Sequence, residues 1–169
     1  IALTDLYCYN NNLTSLDVST NISLEDLYSG NNQLQALDLS SNLALLVLFC
    51  NDNQLNSLDL SANIYLYNLV CGGNYLASLD VSTNAALSYL NCGDNEITTL
   101  DLSQTALATL YCQNNQLTSL DVRNGFNQLI TSSYKFNTTN NPNLLCIDVD
   151  DVAFSDSTWD SHTNPESSF

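Results

Sequence analysis

Basic residues are almost absent from this 169-residue sequence. It contains 18 aspartates and glutamates but only two cations, Arg123 and Lys135, which gives a net charge of -16, and the first 122 residues carry no lysine or arginine. Phosphate backbones and anionic lipid head groups repel such a surface, so nucleic acid and the bare membrane are poor partners. Calcium, cationic ligands and neutral sugars remain compatible with the charge.

Long apolar runs are also absent. No stretch approaches the roughly 18 consecutive apolar residues of a membrane span, so no membrane insertion is predicted. No basic segment precedes an apolar one, but the sequence begins inside a repeated pattern. We interpret it as an excised or mature fragment, whose start carries no information on secretion.

Histidine is represented by His162 alone. With one histidine and no G-x-S-x-G motif, no catalytic triad is visible. Carboxylate pairs such as Asp5 and Asp26 have the chemistry of a glycosidase, but nothing in the sequence points to a raised pKa for either one. We therefore predict that the chain is not an enzyme.

What the sequence does contain is a strict repeat. Segments beginning at Leu3, Leu24, Leu45, Leu66 and Leu87 follow every 21 residues, and the next begins at Leu107 after 20. Each follows the pattern L-x-x-L-x-C-x-x-N-x-L-x-x-L-D-(L/V)-S-x-N. The cysteine column contains Cys8, Ser29, Cys50, Cys71, Cys92 and Cys112. The asparagine column contains Asn11, Asn32, Asn53, Asn74, Asn95 and Asn115. The aspartate column contains Asp17, Asp38, Asp59, Asp80, Asp101 and Asp121.

This period predicts a solenoid, in which each unit buries its apolar residues against the units before and after it. Leu6 and Cys8 lie on one side of an extended strand and Tyr7 on the other. Leu16-Asp17-Val18 repeats the alternation, so each coil should have two extended passes. The asparagine column is predicted to satisfy backbone groups at buried turns. No long helix is expected, because a 3.6-residue apolar period is never sustained.

The repeat resembles the leucine-rich repeat, and its 21-residue form is similar to a subtype in secreted and surface proteins of the Bacteroidetes. The segment "NNPNLLCIDVDDVAFSDSTW" is similar to the cap that closes such arrays. The resemblance implies a right-handed, curved solenoid with short parallel strands on its concave face, serving recognition. We predict one continuous domain, with six repeats over residues 1–126 and an irregular seventh repeat and cap over 127–169. Ser29, Thr105 and the stretch 123–139 depart from the pattern.

The repeat columns also predict the register of the last coil and the state of the cysteines. Ile147-Asp148-Val149 matches the Leu-Asp-Val of earlier units, so Asp148 should extend the aspartate column. The residues expected to cover the last rung are Val152, Phe154, Trp159 and Phe169. The repeat cysteines should be reduced core residues, because in-register parallel positions have poor disulfide geometry. Cys146 should point outward and be unpaired; the resemblance implies a disulfide partner for it in a longer chain.

The outward strand residues are the candidate binding site. Aromatic rings recur beside the central leucines, and carboxylates accompany them in the first two repeats. The candidate residues are Asp5, Tyr7, Asp26, Tyr28, Phe49, Tyr89 and Tyr111. Two interpretations have equal weight: the rings stabilise the sheet by stacking, or they form a recognition surface, including one for sugar rings.

The aspartate column and the acidic tail are predicted to be structural. Each column aspartate can accept from the backbone N–H two residues on, or from a serine hydroxyl, and so close a turn. A minority hypothesis is calcium bound between rungs. Its ligands would be Asp17, Asp38, Asp59, Asp80, Asp101, Asp121 and Asp148. The tail should be a solvated face of the cap. It comprises Asp148, Asp150, Asp151, Asp156, Asp160 and Glu166.

The leading functional hypothesis is a non-catalytic recognition module of an exported or cell-surface bacterial protein. It would bind a protein partner through its concave face and need no cofactor. The alternatives are a carbohydrate-binding accessory module, for attachment to or degradation of a polysaccharide, and a structural spacer between other domains. The sequence alone does not choose a partner, because a binding face encodes a surface rather than a reaction.

Overall fold

The computed structural model describes residues 2–159. The strands are β1 (Asp5–Tyr7), β2 (Asp26–Tyr28), β3 (Val47–Phe49), β4 (Asn68–Val70), β5 (Tyr89–Asn91), β6 (Thr99–Asp101), β7 (Thr109–Tyr111), β8 (Ser119–Asp121), β9 (Phe136–Asn137) and β10 (Ile147–Asp148). Two 3-10 helices span Asn127–Leu129 and Ser133–Lys135, and the α-helix α1 spans Val152–Trp159. Within the described range, no helix has the length and apolar character needed to cross a membrane.

The first strand of every coil joins one parallel sheet, in the order β1-β2-β3-β4-β5-β7-β9. Leu27 lies opposite Leu6 on one side and Leu48 on the other, so the strands align in the register of the repeat. The central leucines of β2 to β5 and β7 are fully buried, because alternation turns them inward while their neighbours face out. The predicted solenoid with little helix is confirmed.

The second pass forms strands in fewer coils than the alternation predicts. In the described chain, only β6, β8 and β10 pair there, as a three-stranded parallel sheet. These strands belong to the 20-residue repeat and the two coils after it. Asp148 lies opposite Asp121, which confirms that it extends the aspartate column.

Asparagine side chains bind the coils together. Asn53 Nδ2 donates to the carbonyls of Ser29 (3.1 Å), Cys50 (3.1 Å) and Asn51 (3.2 Å), while its Oδ1 accepts from Leu34 N (2.9 Å). The same pattern recurs along the buried column, which confirms its predicted role. It extends into the seventh coil, where Asn141 donates to Cys112 O (3.0 Å) and accepts from Leu117 N (3.0 Å).

A second asparagine ladder follows the aspartate turns. Asn63 Nδ2 donates to Leu39 O (3.2 Å) and Asn42 O (2.9 Å), and Asn84 repeats the arrangement one coil later. In the short repeat Thr105 takes this place, and its hydroxyl donates to Leu102 O (2.7 Å). The shorter side chain therefore still closes its own turn.

The cap is built around Trp159 and differs in part from the expectation. Trp159 is fully buried, stacks on Phe136 with ring centroids 4.2 Å apart, and donates Nε1–H to Ile130 O (2.9 Å). Phe154 packs edge-on against it at 6.3 Å. Val152 was expected to cover the last rung, which is wrong: in the first turn of α1, it is 48% exposed. Phe169 lies outside the described residues.

Two tail aspartates have structural contacts rather than a purely solvated position. Asp151 caps α1, accepting from Phe154 N at 3.1 Å, which satisfies a helix N–H that lacks an intrahelical partner. Asp150 Oδ2 accepts from Gly125 N (2.8 Å), and its own backbone N–H donates to Asn127 Oδ1 (2.7 Å). The seventh coil is thus tied to the cap. Asp160 and Glu166 lie outside the described range.

Candidate functional site

The outward surface of the seven-stranded sheet, called the strand face below, is formed by the residues that flank the central leucines. It contains all seven candidate residues: Asp5, Tyr7, Asp26, Tyr28, Phe49, Tyr89 and Tyr111. The structure separates them into two groups. The first occupies β1 to β3 and the second occupies β5 and β7.

In the first group the aromatic rings stack from rung to rung. Tyr7 and Tyr28 are nearly parallel, with centroids 4.6 Å apart, and Tyr28 and Phe49 are tilted by 59° at 4.9 Å. Such pairs contribute roughly 0.5–1.5 kcal/mol beyond the area they bury. Tyr7 nevertheless remains 59% exposed. The rings therefore stabilise the sheet and also remain accessible, so the two interpretations of the stripe are compatible.

Carboxylates lie directly beside these rings. Asp5 and Asp26 are in-register neighbours on β1 and β2. Partial burial raises the pKa of Asp26, and the negative charge of Asp5 adds to the effect. Burial also raises the pKa of Tyr28, followed by the charge of Asp26 and smaller effects that include Asp5. The electrostatic field of both carboxylates thus reaches the aromatic stripe.

A depression of about 280 Å³ opens next to the stripe. It is lined by Tyr9, Asn10, Tyr28, Gly30, Asn31, Phe49 and Asn51. Gly30 lies under the Asn51 side chain: a Cβ added there would lie 2.6 Å from Asn51 Oδ1. Asn31 Nδ2 donates to Asn10 Oδ1 (2.6 Å), and Asn51 Nδ2 donates to Asp52 Oδ2 (2.7 Å).

The second aromatic group has a more structural setting. Tyr89 and Tyr111 are 5.9 Å apart and tilted by 55°. Tyr111 Oη donates to Tyr134 O at 2.6 Å, which attaches the irregular seventh coil to β7. Burial, followed by the nearby Tyr111, raises the pKa of Tyr89. This group therefore contributes to the strand face and also holds the start of the cap.

The aspartate column lies on a different surface and closes turns as predicted. Asp17, Asp38, Asp59, Asp80 and Asp101 each accept a 2.9 Å hydrogen bond through Oδ1 from the backbone N–H of the serine two residues on. Hydrogen bonds from the hydroxyl and backbone of these serines lower the pKa of Asp17, Asp38 and Asp59. The pKa of Asp80 is also lowered, with the backbone N–H of Ser82 as the larger cause.

Arg123 replaces the serine in the sixth repeat. Its guanidinium binds Asp121 through both carboxylate oxygens, at 3.0 and 2.6 Å, and lies 3.9 Å from Asp148. The hydrogen bond from its side chain is the main cause of the lowered pKa of Asp121. At this end of the column, a cation thus offsets the like charges of neighbouring rungs.

The calcium hypothesis remains a prediction. Over residues 2–159, no three His, Cys, Asp or Glu side chains converge as a metal-binding group. One oxygen of Asp17, Asp38, Asp59, Asp80 and Asp101 already accepts from a backbone N–H, and both oxygens of Asp121 bind Arg123. Melting curves with and without a chelator test whether calcium bridges the rungs.

The lowered pKa values of the column aspartates predict that the folded chain loses stability as the pH falls. A carboxylate whose pKa is lower in the folded than in the unfolded chain stabilises the fold above its unfolded pKa of about 4. That stabilisation disappears as the pH falls through the folded pKa. In the variant Asp38→Asn with Asp59→Asn, the amide oxygen still accepts from serine but does not titrate. We therefore expect its urea midpoint to fall less than that of the unmodified chain between about pH 5 and pH 2. Equal falls would contradict the assignment.

The repeat cysteines form a column of free thiols, in which Cys50, Cys71, Cys92 and Cys112 are buried and Cys8, in the first coil, is half-buried. Burial raises the pKa of Cys50 and Cys92 to about 12, and it also raises the pKa of Cys71 and Cys112. Thiols in this state are not nucleophiles, because the thiolate is the reactive form. Burial confirms the prediction of core residues for Cys50, Cys71, Cys92 and Cys112, whereas Cys8 is only half-buried. Cys146 is exposed and free, as expected.

No protein-family model and no curated protein matches the sequence. Among solved structures, the functional domain of InlJ from Listeria monocytogenes, which includes a cysteine ladder, is similar over 87% of this chain, with a TM-score of 0.70 and 33% identity. An internalin of that species, InlF, is similar over 96% of this chain, with a TM-score of 0.66 and 21% identity. The fold is a leucine-rich repeat solenoid.

A leucine-rich repeat protein from Leptospira interrogans is also similar, with a TM-score of 0.54 and 22% identity over 86% of this chain. The chain spans 30%, 46% and 43% of the lengths of these three structures, so it corresponds to part of each. The link to the Bacteroidetes remains a prediction.

The sequence did not indicate the depression as part of the site. Tyr9, Gly30 and Asn51 occupy one repeat position, and Asn10 and Asn31 occupy the next. A usable signal was present at that next position, which contains only Asn, Asp or Gly in the repeats. Asn10, Asn31, Asp52, Gly73, Asp94 and Asn114 there all have positive φ. These residue types tolerate the left-handed region, so the column predicts a tight turn beside the strand face.

Proposed function

We propose that the chain is a non-catalytic recognition module that binds a protein partner through the strand face. The observation that carries the proposal is the accessible aromatic stripe of β1 to β3, with unneutralised carboxylates and an open depression beside it. Exposed tyrosines are enriched at protein interfaces, because they add large contact area with little loss of conformational entropy. Solenoids of this type present extended surfaces suited to binding.

The rest of the molecule supports a binding rather than a catalytic role. Four of the five repeat thiols are buried, and the column aspartates from Asp17 to Asp121 are engaged in turns. The proposed setting is an exported or surface-attached bacterial protein, which rests on the resemblance of the repeat to that of such proteins. A glycan ligand is the competing class, since sugar rings also stack on tyrosine.

Site-directed photo-cross-linking tests the proposal. In one variant a benzophenone amino acid replaces Val70 on the strand face, and in another it replaces Ile64 in a loop. Each variant is cross-linked in the presence of the surface proteins of cells that the source bacterium contacts. We expect position 70 to cross-link to a defined protein that position 64 does not capture. Cross-linking at position 64 alone, or binding of the chain to glycans on an array but to no protein, would contradict a protein-binding strand face.

The double variant Tyr28→Ala with Phe49→Ala should weaken binding of that partner at least about 30-fold. Truncating a central aromatic residue of an interface typically costs about 2 kcal/mol or more. The matched control is Ile64→Ala with Tyr65→Ala, which removes two exposed apolar side chains from a loop. Unchanged affinity in the strand-face variant, measured by surface plasmon resonance, would exclude this surface.

A further inference from the structure

The depression beside the stripe has three aromatic walls, formed by Tyr9, Tyr28 and Phe49. The face of an aromatic ring carries partial negative charge and attracts cations, with about 0.5–1 kcal/mol per contact at exposed sites and about 2 kcal/mol when water is excluded. Gly30 forms the floor and has no side chain, which leaves room for the Asn51 side chain to lean over it. The volume of the depression, about 280 Å³, suits one long side chain rather than a whole peptide.

A hydrogen-bond acceptor is directed into the same space. Asn51 donates its amide NH2 to Asp52 Oδ2, and its Oδ1 is the atom nearest to the site of a Cβ on Gly30. The carbonyl oxygen of Asn51 therefore lies over the glycine floor. A group that enters here meets an acceptor and three aromatic side chains, which suits a ligand that only donates hydrogen bonds.

The surrounding charge is negative and has no internal counter-ion. Asp5 and Asp26 lie on the adjacent strands, and the first 122 residues contain no lysine or arginine. Within the described residues, both salt bridges are made by Arg123, which belongs to the aspartate column. The field of the carboxylates extends to Tyr28, whose pKa is raised in part by Asp26 and Asp5.

We propose that this depression is an arginine pocket, which takes a guanidinium side chain of the protein partner. Arginine fits better than lysine, because its planar guanidinium stacks on aromatic rings and offers five N–H donors with no acceptor. The inference rests on the proposed function, since it names the chemistry by which the strand face recognises its partner. The carboxylates of Asp5 and Asp26 add long-range attraction that falls with ionic strength.

Amide-resolved NMR titration of the chain with L-argininamide tests the pocket without the partner. We expect saturable shifts of the Gly30, Asn31 and Asn51 signals, and none with L-citrullinamide, whose side chain ends in an uncharged urea group in place of the guanidinium. Gly30→Leu, which fills the space, and Tyr28→Ala with Phe49→Ala should each raise the apparent Kd at least about tenfold. The spectrum of each variant also reports whether it is folded.

A charge-matched control separates the pocket from diffuse attraction. Asp5→Asn with Asp26→Asn and Asp17→Asn with Asp38→Asn remove the same charge from different surfaces. The first pair should weaken argininamide binding several-fold, and the second should change it by less than about twofold. Equal losses, equal shifts with citrullinamide, or shifts along the aspartate column would overturn the pocket. If a partner binds the strand face while argininamide does not shift the Gly30, Asn31 and Asn51 signals, the pocket alone is refuted. If argininamide binds but no protein partner binds this face, the proposed function is refuted.

Discussion

Replacing Asn74 by alanine should lower the free energy of unfolding by about 3–5 kcal/mol. Asn74 Nδ2 donates to the carbonyls of Cys50 (3.1 Å), Cys71 (3.0 Å) and Gly72 (3.4 Å), and its Oδ1 accepts from Leu55 N (3.0 Å). Truncation leaves the buried Leu55 N–H without its partner and removes one of two donors from each carbonyl, since Asn53 still donates to Cys50 O, Asn95 to Cys71 O and Asp52 N to Gly72 O. The unpaired N–H costs about 1–3 kcal/mol, and the three lost hydrogen bonds and the cavity add to the loss.

Urea unfolding followed by circular dichroism measures this effect, with two controls from the same chain. Asn56→Ala removes an exposed side chain and should change stability by less than about 0.5 kcal/mol. Asn11→Ala removes the first member of the column, which is exposed and donates to Cys8 O and Tyr9 O within its own coil. It should cost less than Asn74→Ala. A loss for Asn74→Ala no larger than that for Asn56→Ala would show that the ladder does not hold the coils together.

Asn74→Asp distinguishes hydrogen-bond donation from packing. The carboxylate retains the shape and the acceptor for Leu55 N but loses both donors and introduces a buried negative charge. Burial raises the pKa of a carboxyl group, so the folded variant should bind a proton more tightly than the unfolded chain. Its stability relative to the unmodified chain should therefore improve as the pH falls, because stability rises on acidification when the folded state binds more protons.

The solenoid could be predicted from the sequence because its information is periodic. Leucine, cysteine, asparagine and aspartate recur at fixed positions, and each position has one environment in every coil. The parallel register of Leu6, Leu27 and Leu48 follows from the 21-residue spacing alone. The same logic assigned the buried thiols, the asparagine ladder and the aspartate turns correctly, since each assignment needed only the residue type and the side of the strand.

The depression could not be predicted in this way, because it depends on contacts that differ between neighbouring coils. One repeat position contains Tyr9, Gly30 and Asn51 in successive coils. The depression depends on this order of a large side chain, no side chain and a side chain of intermediate size. The direction in which Asn51 leans depends on its hydrogen bond to Asp52. Periodicity averages over such differences, so the stripe was found and the space beside it was missed.

The cap escaped prediction for a related reason: it occurs once. Val152, Phe154 and Trp159 are all apolar, and composition alone assigned them one covering role. In α1, Ser155 and Trp159 are buried, whereas Val152, seven residues before Trp159 and on the same side of the helix, stays exposed in the first turn. Asp151 was the available signal for this helix, since an aspartate before a run of helix-compatible residues indicates an N-cap and hence where the helix begins.

Trp159→Ala should be the most damaging single change in the cap, with a loss of about 3–5 kcal/mol. It removes the stack on Phe136 and the edge contact with Phe154, and it leaves Ile130 O without the indole donor. Trp159→Phe keeps a ring on Phe136 but not the hydrogen bond, so a smaller loss of about 1–2 kcal/mol is expected. Val152→Ala, in the exposed first turn of the same helix, should change stability by less than about 0.5 kcal/mol.

Hydrogen exchange shows which coils lose stability in the variant Trp159→Ala. Each coil of a solenoid contacts only its neighbours, so removing the lid should first release β9 and β10 while β3 and β4 keep their protection. Faster exchange confined to residues after about 120 is the expected result for Trp159→Ala. Equal acceleration in β3 and β4 would show that the coils unfold as one cooperative unit. In that case the cap would stabilise the strand face from the opposite end of the array, and Trp159→Ala would weaken partner binding without any contact to the partner.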